Sequence, residues 1–406
     1  RFRETKETFK ENKVKSVTDL IKDTIVAISD NSVSFVAAVD NSFIGRQGLN
    51  TLQTHPTIWF DMARKSFKDI YKTLVDKHGG NAVKDALMAE AYSRPNYMNG
   101  NYDLAKLIPK TEEQFPTSMP ERLPFGIGRV FKASEYAFLN SAIRARINTF
   151  DLVYDIAKKN GVEMNKAQVQ DIGKLINSIT ARGDLGRLGE GGIVRMIIWA
   201  PKMLKGNWDV LTGHTGGAGL ATPFARKQAL TNLLKIVTST AAVVAIANAM
   251  KPGSVELDPR SSDFMKIRVG NTRFDITGGK ASIITLLSRA TSFSSKSTAT
   301  GKVTTLNSGK YGAQTVFDVG IDFLVNKTTP PARSAITIAK GIDFNKEKPT
   351  IGSVAYGLTT PISIQNFVSN FYGPDKDGSV AAVVGSFVDL VGINANTYDS
   401  RKKFKH

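Results

Sequence analysis

Apolar residues recur at close to 3.6-residue spacing along most of this 406-residue chain and alternate strictly only around Gly270-Asn271. A helical period cannot be laid onto a sheet without turning half the apolar side chains to water, so the pattern fixes a mainly α fold. The exception runs from Phe264 through Lys266-Ile267-Arg268-Val269 and Thr272-Arg273-Phe274-Asp275-Ile276. Two alternating runs joined by Gly-Asn predict one inserted β-hairpin at about 264–276. The expected architecture is therefore an irregular multi-helix body with that hairpin inserted and extended termini.

Punctuation divides the chain into four stretches. Residues 1–40 read as a basic N-terminal helix or arm, with Val14, Val17, Leu20, Ile21, Ile25 and Ile28 on one face. Residues 41–250 read as the helical body. In it, helices are predicted from Pro56 to about Gly79, at 82–92, at 128–160, at 165–180 after Asn165 as a cap, and at 223–250. Five prolines between Pro95 and Pro124 predict irregular surface chain. The loop at 181–192, dense in glycine, precedes an apolar segment at 193–204. Residues 251–280 hold the hairpin. Residues 281–406 form a helical C-terminal region, with helices expected at 281–293, 309–325, 332–340 and 362–371, Ser/Thr/Lys-rich linkers between them and a basic tail.

Charge enters where partners are concerned. Lys plus Arg number 54 against 36 Asp plus Glu, a net charge of +18. Such an excess favours polyanions, nucleic acid or an anionic membrane face, and says nothing about fold. No acidic residue falls between Asp275 and Asp318, where Lys280, Arg289, Lys296, Lys302 and Lys310 do. The chain then ends in Arg401, Lys402, Lys403 and Lys405. These nine are the expected contacts to DNA or to protein partners. The absence of cysteine excludes disulfides, thiolate zinc sites, Fe–S clusters and thiol catalysis. Residues 236–250 carry no charge, but about 15 residues fall short of the ~20 a spanning helix needs. A buried core helix is the expectation there, with oblique membrane insertion as the alternative. The chain begins at Arg1 with no apolar signal core, as expected of a processed product or a piece of a longer polypeptide.

Catalytic patterns fail one by one. Gly183 to Gly192 could hold an anion at a helix N-terminus, yet it lacks a P-loop's Gly-Lys-Ser/Thr and follows a helix, so a hinge is expected. Gly278-Gly279-Lys280 resembles the end of a P-loop, but Ala281 replaces the metal-binding hydroxyl and Arg273 stands where the first glycine belongs. Asp258, Asp263 and Asp275 could converge as a metal or acid–base site. Arg260, Arg268 and Arg273 stand nearby as salt-bridge partners, so structural use of these residues, with Gly270 and Asn271 as the turn, is expected. No His pair has ligand spacing. No enzyme, cofactor or metal is expected.

One stretch carries a resemblance. Residues 256–264 (ELDPRSSDF), 266–275 (KIRVGNTRFD) and Gly278-Gly279 resemble the signature of a phage large polyvalent protein-associated domain, the type found near the C-terminus of very large phage polypeptides. Shorter pieces fit in order across residues 40–370: Arg46-Gln47-Gly48, His55-Pro56, residues 129–135, residues 180–186, Trp199-Ala200-Pro201, Arg226-Lys227 and residues 361–365. The resemblance implies a protein packaged in the phage head and delivered with the genome, and implies no catalytic residues. The expected role is an internal virion structural or ejection protein near the portal or in the tail lumen. Its expected partners are other virion proteins and packaged DNA, and it is expected to be oligomeric in place. Two rivals are a membrane-active conduit in the host envelope and an accessory domain of a larger phage enzyme.

Overall fold

Proline and asparagine set the first helices of the computed structural model, which describes residues 43–75, 81–108, 127–189, 197–309, 313–341, 349–360 and 392–397 with positions 194, 365, 368, 383–386 and 388. A π turn, Phe43–Gln47, leads into α1 (Leu49–Thr54), and Pro56 then starts α2 (Pro56–Val75) with its φ already helical. Next come α3 (Asn81–Tyr92) and two single turns, α4 (Pro95–Met98) and α5 (Asn101–Leu104). The long α6 (Ile127–Lys159) follows, then α7 (Lys166–Ile179), whose cap Asn165 accepts from the Gln168 N–H at 3.0 Å.

The core lies where α3, α6 and α7 meet. Leu87, Ile147, Phe150, Val153, Ile172 and Ile176 bury together there, with the Tyr102 ring edge-on to Phe150. On its other side α6 packs along α2, burying Phe43, Met62, Ala142 and Ala145. Gly173 lets α7 reach the chain at Ala105, since a Cβ there would lie 2.5 Å from Ala105 atoms. Charge is buried too. Asp69 of α2 accepts from Arg144 Nη1 at 2.5 Å and Asn140 Nδ2 at 3.0 Å. Asp151 accepts from Arg94, Asn96 and Tyr102.

Two further helices complete the body: α8 (Pro201–Thr212) and α9 (Pro223–Met250). Asp171 of α7 ties them in by accepting from the backbone N–H groups of Ala221 and Thr222, each at 2.7 Å. Burial would raise its carboxyl, but the Thr222 N–H, Lys174 and the Ala221 N–H together hold it below the usual range.

The hairpin forms as its alternation dictates. β1 (Lys266–Val269) and β2 (Thr272–Asp275) pair antiparallel, Lys266 opposite Asp275 and Val269 opposite Thr272, around a left-handed Gly270. After it come α10 (Lys280–Ser292), a second hairpin of β3 (Ser294–Lys296) and β4 (Val303–Thr305), α11 (Val316–Val325), α12 (Pro330–Lys340), α13 (Ile351–Thr359) and β5 (Ala395–Thr397). β5 adds to the outer edge of β2, so the sheet order is β1-β2-β5. The fold is mainly α with a small antiparallel sheet. Two differences from the sequence stand out. Residues 294–305, expected as linker, form a hairpin, and α11 begins at Val316 because Thr315 and Asp318 close a capping box there. The N-terminal arm 1–40, Lys310, and Arg401, Lys402, Lys403 and Lys405 lie outside the described residues, as does most of the helix expected at 362–371.

Candidate functional site: a cationic cleft and an exposed apolar helix

The cleft begins with a zipper between distant loops. Trp199 N–H donates to the Lys327 carbonyl at 2.6 Å and Thr329 N–H to the Ile197 carbonyl at 2.9 Å, so the chain before α8 is fixed against the chain before α12. Ala200 holds a left-handed backbone, φ 47°, at the start of α8, a strained conformation for a residue with a Cβ. Opposite, the turn from β2 into α10 passes through two left-handed glycines. Gly278 gives its carbonyl to Asn207 Nδ2 at 2.9 Å, and a Cβ on it would press on Leu49 and on the Arg46 carbonyl at 3.3–3.4 Å. Between these walls lies a cavity of about 580 Å³. One face of α12 (Pro330, Arg333, Ser334, Thr337), α13 with Ser353 and Tyr356, and Asn394 close its far side.

Several segments that fit the resemblance in order along the sequence meet here: Arg46, Trp199-Ala200, Asp275, Gly278-Gly279 and Gln365 all line the cavity. Its charged side chains are Arg46, Lys327 and Arg333, with Asp275 the one carboxylate among the described lining residues. Asp275 Oδ1 accepts from the Thr277 N–H at 2.8 Å and the Thr277 hydroxyl at 2.6 Å. Burial lowers the Lys327 ammonium, Asp275 opposes this, and Lys266 and Arg46 add to the lowering. That ammonium sits 5.6 Å from the centre of the Phe323 ring. Sequence reasoning missed Lys327, Arg333 and Asn207. Each lies in an ordinary helix or turn, and only the long-range zipper brings them to the cleft.

Lys280, expected at a DNA surface, is instead inside the fold. It is 4% exposed and donates from Nζ to Asn50 Oδ1 at 2.5 Å. Burial pulls its ammonium down to about 8, with Asp275 opposing. Directly after the Gly278-Gly279 turn, its side chain enters the body instead of leaving it, which rules out a polyanion contact. Arg289 donates to the Arg260 carbonyl at 2.7 Å and to Ser262 Oγ at 2.9 Å, tying α10 to the hairpin's approach. Lys296 pairs with Glu256 at 2.7 Å and lies 3.9 Å from Asp258. Lys302 is exposed.

The three aspartates each answer to a neighbour. Asp258 takes Arg260 through Nε at 3.0 Å and Nη2 at 2.8 Å, and that fork lowers its carboxyl to about 2. Asp263 meets Lys266 and the fully buried Arg273, each at 3.4 Å. Arg273 also donates to the Asn271 carbonyl, and Arg268 to that of Gly270, so both arginines brace the turn. No cluster of three or more metal-ligating side chains occurs among the described residues.

The second feature is α9, and it overturns an expectation. Residues 236–250 are not a core helix. Ala225, Ala229, Asn232, Ile236, Thr240 and Val244 bury one narrow seam, while Leu230, Leu234, Val237, Val243, Ile246 and Met250 stand exposed. Only 17% of the most apolar 18-residue window is buried, and α9 is long and apolar enough to cross a membrane. The reason is geometric. The core is already filled by α2, α3, α6 and α7, and among the described elements α9 packs on α1, α7, α8 and the Gly213–Thr215 turn. Its 28 residues span roughly 42 Å at ~1.5 Å each. Arg226, Lys227 and Lys235 mark its first half, and no acidic residue occurs in it.

No family model, curated protein or solved structure matches the chain.

Proposed function

We propose that this chain is a non-enzymatic phage ejection protein, carried inside the virion and delivered with the genome, and that α9 is its working surface. The carrying observation is that α9, a long helix with an 18-residue apolar window, is exposed. Apolar patches of this kind mark protein or membrane contacts in soluble proteins. In the particle the face of α9 packs against other virion proteins, and the net +18 suits a neighbourhood of packaged DNA. The resemblance of residues 256–279 supplies the phage context. Mass spectrometry of purified virions should find the chain in DNA-filled particles and not in ghosts that have released their DNA. Its presence only in infected-cell cytosol would overturn the reading.

One observation favours a second reading, a conduit in the host envelope. The 18-residue apolar window of α9, ~27 Å long at ~1.5 Å per residue, comes close to the ~30 Å hydrocarbon core, and its cations gather toward one end. Flotation of the full chain with vesicles containing phosphatidylglycerol separates the two. Flotation that is lost when Leu234, Val237 and Ile246 become Gln supports the conduit. No flotation removes it and leaves the protein-contact reading.

A further inference from the structure

We propose that the outer face of α2 binds single-stranded nucleic acid. The proposal stands apart from the ejection reading, which rests on α9. Against the body α2 buries Met62, Ala63, Ser66, Asp69 and Thr73, while its largest side chains turn to solvent. Phe60 is 62% exposed, Phe67 52% and Tyr71 67%. At 3.6 residues per turn Phe60, Arg64, Phe67, Lys68, Tyr71 and Lys72 share that outer face, aromatic and basic in alternation. Rings between cations are what a single strand needs. Bases stack on the rings with little regard to sequence, and the cations meet the phosphates. From Phe60 to Tyr71 the face runs ~16 Å at ~1.5 Å per residue, about five bases at ~3.4 Å each.

The parts are held ready. Trp59, which donates from Nε1 to the Ile44 carbonyl at 2.9 Å, meets Phe60 edge-on with ring centres 5.1 Å apart. Lys68 and Lys72 are exposed and have no ion pair or hydrogen bond among the described residues. Arg64 touches Asp61 at 3.4 Å, an exposed contact that holds it weakly. Beside Tyr71 a groove of about 480 Å³ opens between α2 and α3, floored by Val75, Val83 and Leu87, with room for a base. Asp69 and Glu90 in its wall are already paired with Arg144 and Arg94. The placement of the cations decides against other occupants. Arg64 lies between Phe60 and Phe67, in the midst of the rings, whereas a helix lying on a membrane keeps its cations at the borders of its apolar face. The centre of a protein interface is depleted in lysine. On a nucleic acid strand the same cations stay among phosphates and water.

The test is fluorescence anisotropy of the purified full chain with a labelled oligodeoxythymidine of about 20 nucleotides, and with a duplex of equal length, over a range of salt. An oligouridine of the same length tells DNA from RNA, and tight binding of either supports the proposal. The strand is expected to bind about tenfold more tightly than the duplex. Phe67→Ala and Tyr71→Ala should each weaken the strand about tenfold and leave the duplex nearly unchanged. Lys68→Met and Lys72→Met should each lower the salt slope for the strand by about 0.7, while Lys302→Met, in the turn of the β3–β4 hairpin, leaves it unchanged. The substituted positions are exposed, and an unchanged melting temperature shows that each variant has folded. The proposal is overturned by no saturable binding, by equal affinity for strand and duplex, or by ring variants that bind as the parent does. Losses at Lys302 equal to those at Lys68 overturn it as diffuse attraction to a basic protein. Vesicle binding lost in the ring variants, with strand binding intact, overturns it in favour of a membrane contact. None of these results alters the virion measurement that tests the ejection reading.

Discussion

The two long helices of this chain have exchanged the places that their compositions suggest. α6 carries Arg144, Arg146, Asp151 and Lys158, yet it is buried on nearly all sides at its centre, with Arg146 1% exposed. α9 has an uncharged, apolar second half and lies on the surface. Burial follows what surrounds a helix. α6 is central because α2, α3 and α7 each have an apolar face to lay on it, and its charges are met inside by Asp69, Thr180 and Arg94. α9 has one seam of small and medium side chains to offer, and the body covers that seam alone. A polar helix whose buried charges are paired makes a better core than an apolar helix with nothing left to cover it.

Breaking the α6 side should have the largest effect. Asp69→Ala leaves the Arg144 guanidinium buried without its carboxylate and should cost about 3–5 kcal/mol in urea unfolding. A loss under about 1 kcal/mol would mean that the pair is solvated and α6 less central than its burial indicates.

His55 tests the junction between the two sides. It lies between α1 and α2, with Thr54 Oγ1 2.8 Å from its Nδ1, and Lys235 of α9 donates to the adjacent Thr54 carbonyl. Burial, and then Lys235, lower its pKa from 6.5 to about 4. As pH falls below 6.5 the unfolded chain takes up a proton that the folded His55 refuses. Stability is therefore full above 6.5 and falls toward pH 4, by up to about 3 kcal/mol. His55→Gln should flatten that part of the pH–stability curve, and an unchanged slope would place the titrating group elsewhere.

Within α9 the comparison narrows to neighbours. Ile236→Ala, in the seam, should cost about 2 kcal/mol. Val237→Gln, one residue on and 56% exposed, should change stability by less than about 0.5 kcal/mol while weakening vesicle or partner binding. Equal losses at both positions would return α9 to the core.

How much the sequence disclosed follows the same division. Features set by neighbours along the chain were legible: the bounds of α9, the Asn165 cap, and the hairpin with its Gly270-Asn271 turn. Features set by distant chain were not. Nothing near Thr272 announces that Thr397 pairs with it, and nothing near Lys280 says that Asn50 receives its ammonium. The cleft is in the same position. Its Arg46, Trp199-Ala200 and Gly278-Gly279 were singled out as separate short motifs, while Lys327 and Arg333 were not, because their placement depends on Trp199 donating to the Lys327 carbonyl. The burial of α9 was misjudged for want of the same information, since an apolar run does not say whether anything remains to cover it.

Because the chain has no cysteine, single thiols can be placed on α9 without background. Maleimide labelling of Ile236→Cys and Val237→Cys in the native full chain measures the exposure of α9 one residue at a time. The account predicts that the thiol at 237 reacts at the rate of a free surface thiol and that the one at 236 reacts at least a hundredfold more slowly. Equal protection at both positions in the isolated protein would contradict it.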